Sequence, residues 1–574
     1  MWCEWMSRAV AVAALAAEND APRGAGSLAV VIGAAVLGAI VVVAIASFLR
    51  PVHLAIGFGA TVAMWAIGYA AMTSPGLPAG EVLFLLMLVC VGAAGTIAAG
   101  RGGAARSGLA VGLISAGANL LIVGSLLGGR ASVTVEVERD GAVQRVPLFA
   151  PSAAAAASSV PLGLRLADDG RIESVAERSG AHDAGLRPGD RILGVDGRPL
   201  GAAADLATAA ATASDRRERL PQRAALWAAG LFVVSGALGW LGGLVGTRRR
   251  SEPIRDPAAL MAIVAAVAVL LLLVTGGLVT GMEAGLAVPD WPNSFGHNML
   301  LYPISEMKGG VYWEHAHRLF GMLVGVTMLV LVPVVFRCDG RMWARTLVIW
   351  LLLAVVVQGW LGAMRVTGSL SISEHRADHA PNLALAIVHG VLGQGIFAGS
   401  LLLAAMLGST WRTASAAREV PGGGTMRGFS SVLLVLMVLQ LVLGACYRHL
   451  LVPPTADHPG SSPMWALHSH LTLAAVIMVL ALLAGFRAKA LGRDSAVPVV
   501  PGLGRLLHII VGVQILFGIG ALVAVLTRAG AAIPAWEIVV TTAHQATGAI
   551  LLGVSLLLAA WSFRLIRAPR QAGA

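Results

Sequence analysis

Apolar residues in this chain continue for about twenty positions at a time between short polar links, and only one long stretch leaves that rhythm. Crossing about 30 Å of hydrocarbon takes roughly 20 helical residues. Thirteen such runs can be placed, near 27–48, 54–72, 82–100, 107–128, 224–246, 258–280, 315–336, 344–364, 383–407, 429–447, 464–485, 505–527 and 540–563. Each predicts a helix, because hydrocarbon offers backbone amides no partner outside their own segment. The exception is 130–222, where VTVEVERDGAVQRV alternates apolar and polar residues around Asp140-Gly141 and predicts a β-hairpin. Ala153 to Ala157 with Ser158 and Ser159 reads as a flexible connector. The expected fold is an all-α polytopic membrane protein: two tandem four-helix transmembrane bundles (eight spans), preceded by four to five further spans and a small extracytoplasmic α+β domain.

Domain boundaries follow the same pattern. Residues 1–129 form a four-span membrane region, 130–222 the small domain, and 223–257 a single span with a cytoplasmic linker; 258–410 and 411–574 are the two bundles. The bundles repeat one another. "EHAHRLFG" on the second span of the first answers "ALHSHLTL" in the second, and "AIVHGVLGQ" on the fourth answers "TTAHQATGA". The interval from His317 to His389 is 72 residues and that from His470 to His544 is 74, which fits a tandem duplication.

Composition agrees with lipid as the solvent: 57% of the 574 residues are hydrophobic, 12% are charged and the mean hydropathy is +0.80. The net charge of +11 is divided among short links instead of forming one patch, which argues against nucleic acid as a partner. Every second link is basic: Arg248, Arg249, Arg250 and Arg255, then Arg337, Arg341 and Arg345, then Arg412, Arg418 and Arg427, then Arg487, Lys489 and Arg493, then Arg564, Arg567 and Arg570. The positive-inside rule puts these links and the C-terminus in the cytoplasm and the small domain outside it. Cys3, Cys90, Cys338 and Cys446 stand singly, indicating neither zinc nor a disulfide framework. Residues 1–26 make a poor signal peptide, and their fate stays open.

An ionisable residue inside a span is by default a functional hypothesis. Four histidines at duplicated positions are placed so that they can face one another in two pairs, His317 with His389 and His470 with His544, a natural bis-histidine site for haem iron. His315 and His468 compete, each two residues away and so rotated by about 200°. Glu314, three residues before His317 on the same face, favours His317; for His468 and His470 the choice also stays open. Glu314 is a candidate acid–base group, or a helix N-terminal residue favoured by the macrodipole. Arg318 and Arg448 sit at membrane edges, suited to haem propionates or to snorkelling. His297, His375, His379 and His458 fall in loops and are expected to be exposed.

Two resemblances add to this reading. "VPLGLRLADDGRIESVAERSGAHDAGLRPGDRILGVDGRPL" resembles a PDZ domain, with Leu162-Gly163-Leu164 at that family's carboxylate loop. A peptide C-terminus or extended segment is the implied ligand, unless the domain is a degenerate spacer. "GGLVTGMEAGLAVPDWPNSFG", "GGVYWEHAHRLFGMLVG", "QGWLGAMRVTG", "LAIVHGVLGQ", "LGACYRHL" and "TTAHQATGAILL" together resemble the haem A synthase family over about 309 residues. That resemblance implies a bacterial inner-membrane enzyme that oxidises the C8 methyl group of haem O to the formyl group of haem A. The substrate haem would lie between His317 and His389, haem b between His470 and His544, and Glu314 would match the acidic residue of the family's Glu-x-x-His-Arg motif. Haem O synthase, cytochrome oxidase subunits and membrane lipid are the implied partners, and a homo-oligomer is compatible with it. Two other readings use the same residues: a di-haem electron carrier, and an assembly factor working through the PDZ-like domain. The loop Gly281–Tyr312 departs from the family in having no cysteine.

Overall fold

The computed structural model describes residues 25–73, 79–102, 104–128, 132–139, 141–149, 161–176, 181, 184, 186–249, 251–288, 291–294, 297–302, 304, 307, 309–367, 383–451, 462–494, 499–527 and 533–567. His375, His379, His458, Cys3, Asp140 and the 153–159 connector lie outside them. Each apolar run becomes one helix. In chain order these are α1 (Ala25–Phe48), α2 (Pro51–Thr73), α3 (Ala79–Gly102) and α4 (Ala105–Gly128), then, after the small domain and its helix α5 (Ala203–Glu218), α6 (Leu220–Thr247). There follow α7 (Pro257–Gly281), α8 (Gly309–Cys338), α9 (Met342–Thr367), α10 (Leu383–Leu407), the short α11 (Ser409–Thr413), α12 (Gly423–Leu450), α13 (Met464–Asp494), α14 (Val500–Thr527) and α15 (Ala535–Leu565). Among the described residues eleven helices are long and apolar enough to span a membrane, and Ala35–Phe48 and Leu88–Gly102 add two shorter apolar stretches. The chain is a multi-pass membrane protein. Several helices start before their apolar run; α8 begins at Gly309, so Glu314 lies inside the helix and not at its mouth.

Internal contacts sort the chain into two compact units, residues 1–44, 84–249 and 286–319 in one and 45–83, 250–285 and 320–574 in the other. In the first unit, α3, α4 and α6 meet backbone to backbone. A Cβ on Gly108 would collide with the Gly239 carbonyl, one on Gly112 with that of Ser235, and one on Gly242 with that of Gly92. Glycine is what permits this approach in a lipid environment, where dispersion and close packing replace the hydrophobic effect. The hydroxyl of Thr96 donates to the Gly242 carbonyl at 3.0 Å across the same contact.

The small domain of the first unit has a four-stranded sheet ordered β2-β1-β5-β6 and a two-stranded β3-β4 pair. Its strands are β1 (Ser132–Arg139), β2 (Ala142–Phe149), β3 (Leu164–Leu166), β4 (Ile172–Val175), β5 (Arg191–Val195) and β6 (Arg198–Pro199). β1 and β2 form the expected hairpin, with Val135 opposite Val146 and Gly141 in the left-handed region (φ 76°). Val133, Val135 and Val137 point inward, each worth roughly 1.5–3 kcal/mol when fully buried. They meet Leu206, Ala210 and Ala213 along one face of α5. Asp190 fastens this core to β1: Arg139 Nε donates to its Oδ1 at 2.7 Å, and the Arg187 amide to its Oδ2 at 2.9 Å. Burial alone would push this carboxyl up, but those hydrogen bonds and the charges of Arg139 and Arg187 hold it below the usual carboxylate range.

In the second unit α2 packs on α7, and α12 to α15 pack in succession, with α15 returning to α12. Residues Arg418–Glu419 (β7) pair in parallel with Ile566–Arg567 (β8). Arg564 donates to the carbonyls of Ala414 and Ser415, tying the end of α15 to the segment between the two sets of four spans.

Candidate functional site

The chemistry-bearing residues fall into three groups. The first is on α8. Glu314 and Arg318 form an ion pair at 3.1 Å with each side chain only 7% exposed. Arg318 also donates to the carbonyls of Val288 at 2.8 Å and Asn293 at 3.0 Å. The guanidinium thus holds the loop preceding α8, which contains a cis Trp291–Pro292 bond, a use the sequence did not reveal. His315 is fully buried against the same loop, its Nδ1 3.1 Å from the Ser294 hydroxyl and its ring 5.0 Å from that of Tyr302. His317, on another face of the helix, is half-buried. His315 Nδ1 serves the loop while its Nε2 is buried without a hydrogen bond, so the structure leaves His315 beside His317 as a candidate ligand.

The second group gathers at one end of α9, α10 and α12, all in the second unit. His389, half-buried on α10, has its backbone carbonyl bonded at 2.8 Å by Gln358 Nε2 of α9, and its Nδ1 is buried without a hydrogen bond. Arg365 lies within electrostatic reach of His389, and His449 within reach of Arg365, Arg448 and His389. Arg448 donates to the Thr280 carbonyl at 2.6 Å, joining the end of α12 to that of α7. Arg365 and His449 escaped the sequence reading because each ends a span, where a basic residue passes for a membrane-edge anchor. Arg365 and Arg448, with His449 between them in electrostatic reach of both, bring two guanidinium groups together in a pattern suited to carboxylates.

The third group is the second histidine pair. His470 on α13 and His544 on α15 face each other with ring centroids 6.3 Å apart and planes inclined by 74°. Two metal–imidazole bonds of about 2 Å, plus about 1.1 Å from each nitrogen to its ring centre, give nearly that separation. His470 Nδ1 lies 3.2 Å from the Gln440 carbonyl, so it carries the proton and leaves Nε2 bare, the tautomer a metal requires. At His544 the Gln514 side-chain amide lies 3.2 Å from Nδ1, with the Thr547 hydroxyl bonded to Gln514 Oε1. His468 is exposed and takes no part. The ring spacing and the His470 tautomer fit a haem iron here, while at His544 the Gln514 amide lies against both ring nitrogens, 3.2 Å from Nδ1 and 3.4 Å from Nε2. For the first pair the buried, unbonded Nδ1 of His389 is the fitting observation.

Comparison with known proteins agrees with both sequence resemblances. Residues 258–452 match the family described as cytochrome oxidase assembly protein, and residues 171–220 match the PDZ domain family. The chain is 28% identical over 225 residues to haem A synthase of Bradyrhizobium diazoefficiens, covering 34% of this chain and 58% of that one. It is 31% identical over 163 residues to haem A synthase of Caulobacter sp. (strain K31), covering 23% and 47%. It is also 31% identical over 124 residues to haem A synthase of Listeria monocytogenes, covering 22% and 36%. The chain therefore spans between about a third and three fifths of the length of these relatives. The PDZ match begins after Leu162-Gly163-Leu164, and the cytochrome oxidase assembly match stops between α12 and α13.

Proposed function

We propose that this chain is a haem A synthase, oxidising the C8 methyl group of haem O to the formyl group of haem A with haem b held in its second set of four spans. Similarity of residues 258–452 to cytochrome oxidase assembly proteins is the premise. The observation that carries the reading furthest is the pair of imidazoles whose centres lie 6.3 Å apart on α13 and α15. Converting a methyl to a formyl group with water as the oxygen source releases four protons and four electrons, and the electrons pass one at a time to an external electron acceptor. Haem b, when bound, supplies a one-electron redox centre for this traffic.

The chain's own residues supply the rest. His470 and His544 would hold the iron, and the Gln440 carbonyl keeps the His470 proton on Nδ1 and leaves its Nε2 bare. By the duplication in the sequence, His317 corresponds to His470 and His389 to His544, and the two are assigned to the substrate haem on that correspondence alone. Glu314, buried beside Arg318, accepts a proton or stabilises positive charge developing on the reacting carbon, where low dielectric magnifies such help. Arg365, Arg448 and His449 receive propionate carboxylates. The basic links put the C-terminus in the cytoplasm and the PDZ domain on the opposite side of a bacterial inner membrane.

Co-expression with a haem O producer, followed by analysis of extracted haem, tests the activity. Haem A is expected, and haem O alone beside a working positive control would reject the enzyme in favour of a di-haem electron carrier. The PDZ domain gives a second, compatible reading in which it captures the terminal segment of an oxidase subunit or of haem O synthase. Leu162, held at φ 58° with its side chain buried, and Gly163 at φ 78° form a strained turn at the expected carboxylate loop. Deleting 131–221 should leave haem A formation intact and impair oxidase assembly; loss of both would reject this second reading.

A further inference from the structure

The sequence Q-x-x-x-G occurs three times in the chain, at Gln358–Gly362, Gln440–Gly444 and Gln514–Gly518. Each copy lies on the span immediately before a proposed haem ligand, and the glutamine precedes that histidine by 31, 30 and 30 residues. The structure gives the repetition a physical meaning. A Cβ on Gly362 would stand 3.2 Å from His389 Cε1, one on Gly444 3.0 Å from His470 Cε1, and one on Gly518 3.1 Å from His544 Cε1. Each ring therefore lies directly on a glycine backbone, closer than almost any side chain would permit.

The glutamine one turn earlier completes the seat. Gln358 Nε2 donates to the His389 carbonyl at 2.8 Å, and Gln440 Nε2 to the His470 carbonyl at 3.0 Å. Gln514 places its amide against the His544 ring at 3.2 Å, with Thr547 at its other end. The contact is reciprocal where the histidine helix repeats the spacing. A Cβ on Gly393, four residues after His389, would lie 3.3 Å from Gln358 Nε2, and one on Gly548, four after His544, 3.3 Å from Gln514 Nε2. A side-chain N–H buried between two spans gains from a partner there, since lipid offers none, and at Gln358 and Gln440 that partner is the carbonyl of the histidine itself, which fixes the register of the two helices. α7, the span before His317, contains no glutamine.

The geometry points to Gln358, Gln440 and Gln514, each with the glycine one turn on, as positioning residues that set the seat and orientation of His389, His470 and His544. They act through the histidines and touch no substrate. This inference rests on the haem reading above, and partners of a metal-bound histidine of this kind are worth about 10- to 100-fold in affinity.

The test uses full-length protein purified from haem-replete cells. Gly444→Ala and Gly518→Ala press on a ring, whereas Gly428→Ala and Gly512→Ala, on the same two helices, add a methyl into open space. Gln440→Met and Gln514→Met keep the length of the side chain and remove its donor. Three quantities are read: the absorbance bands, the midpoint potential, and the rate of haem transfer to an excess of apo-globin. The seat variants should lose haem at least tenfold faster than wild type and shift the potential, with the haem at the other pair as internal reference. The two open-space controls should match wild type. Seat variants with wild-type potential and transfer rate would overturn the inference, as would equal effects in the controls or simultaneous loss of both haems. A wild type that contains no haem would reject the haem reading itself, an outcome distinct from all of these.

Discussion

Arg318→Met removes one half of an ion pair whose side chains are each 7% exposed, along with hydrogen bonds to two loop carbonyls at 2.8 and 3.0 Å. Breaking a buried pair by deleting one partner costs about 3–5 kcal/mol. Hydrogen bonds from a charged donor contribute about 1.5–3 kcal/mol each, and these figures overlap instead of summing. The single substitution should therefore lower stability by about 3–5 kcal/mol. Replacing the carboxylate as well, in Arg318→Met with Glu314→Gln, should recover part of that loss. A double-mutant cycle in detergent should return a coupling of about 2 kcal/mol. Hydrogen exchange reports the loop separately: release of its two carbonyls should speed exchange across residues 291–294 by about a hundredfold, roughly 3 kcal/mol of local opening. A coupling below about 0.5 kcal/mol, within the additivity error of independent sites, together with unchanged loop exchange would refute the claim that one guanidinium holds both the acid and the loop.

Other expectations follow from single contacts. His315→Ala should destabilise the loop end of α8 by about 1–3 kcal/mol through loss of its buried hydrogen bond, yet leave haem content unchanged, whereas His317→Ala should remove the substrate-site haem signal. Gly112→Leu should disrupt the backbone contact between α4 and α6 by about 2–3 kcal/mol or more, while Gly230→Leu, which enters open space, should be near neutral in a thermal-shift assay. Asp190 carries a lowered carboxyl pKa, so its contribution to the small PDZ-like domain is present above about pH 4 and is lost as pH falls through its folded value. Asp190→Asn should weaken protection of the β1 and β5 amides at pH 7 and flatten the acid limb of that protection.

Much of this was visible before any coordinates. Thirteen apolar runs became thirteen helices because a backbone in hydrocarbon has no other way to satisfy itself, and the Asp140-Gly141 signal located the hairpin. Duplication singled out His470 and His544, and the structure brings their rings together. Helix ends were harder to read: polar residues such as Tyr312 and Glu314 extend α8 beyond its apolar run, since a helix continues wherever its ladder is unbroken. The seat beneath each histidine stayed hidden for a different reason. Q-x-x-x-G gains significance only when the odd-numbered spans are aligned against histidines some thirty residues further on, and a glutamine within a span reads at first as an ordinary interhelical bond. Arg318 looked like a propionate partner because nothing local in the sequence shows that two carbonyls from residues 288 and 293 arrive beside it.

The short parallel pairing of Arg418–Glu419 with Ile566–Arg567 has a mechanical consequence. The segment that follows α11 is no slack tether: the far end of the second repeat grips it, through both that pairing and Arg564. Strain introduced at either side of the junction is transmitted to the other, so a fusion, cut or insertion between residues 414 and 420 disturbs the helix that carries His544 as well as the chain it interrupts.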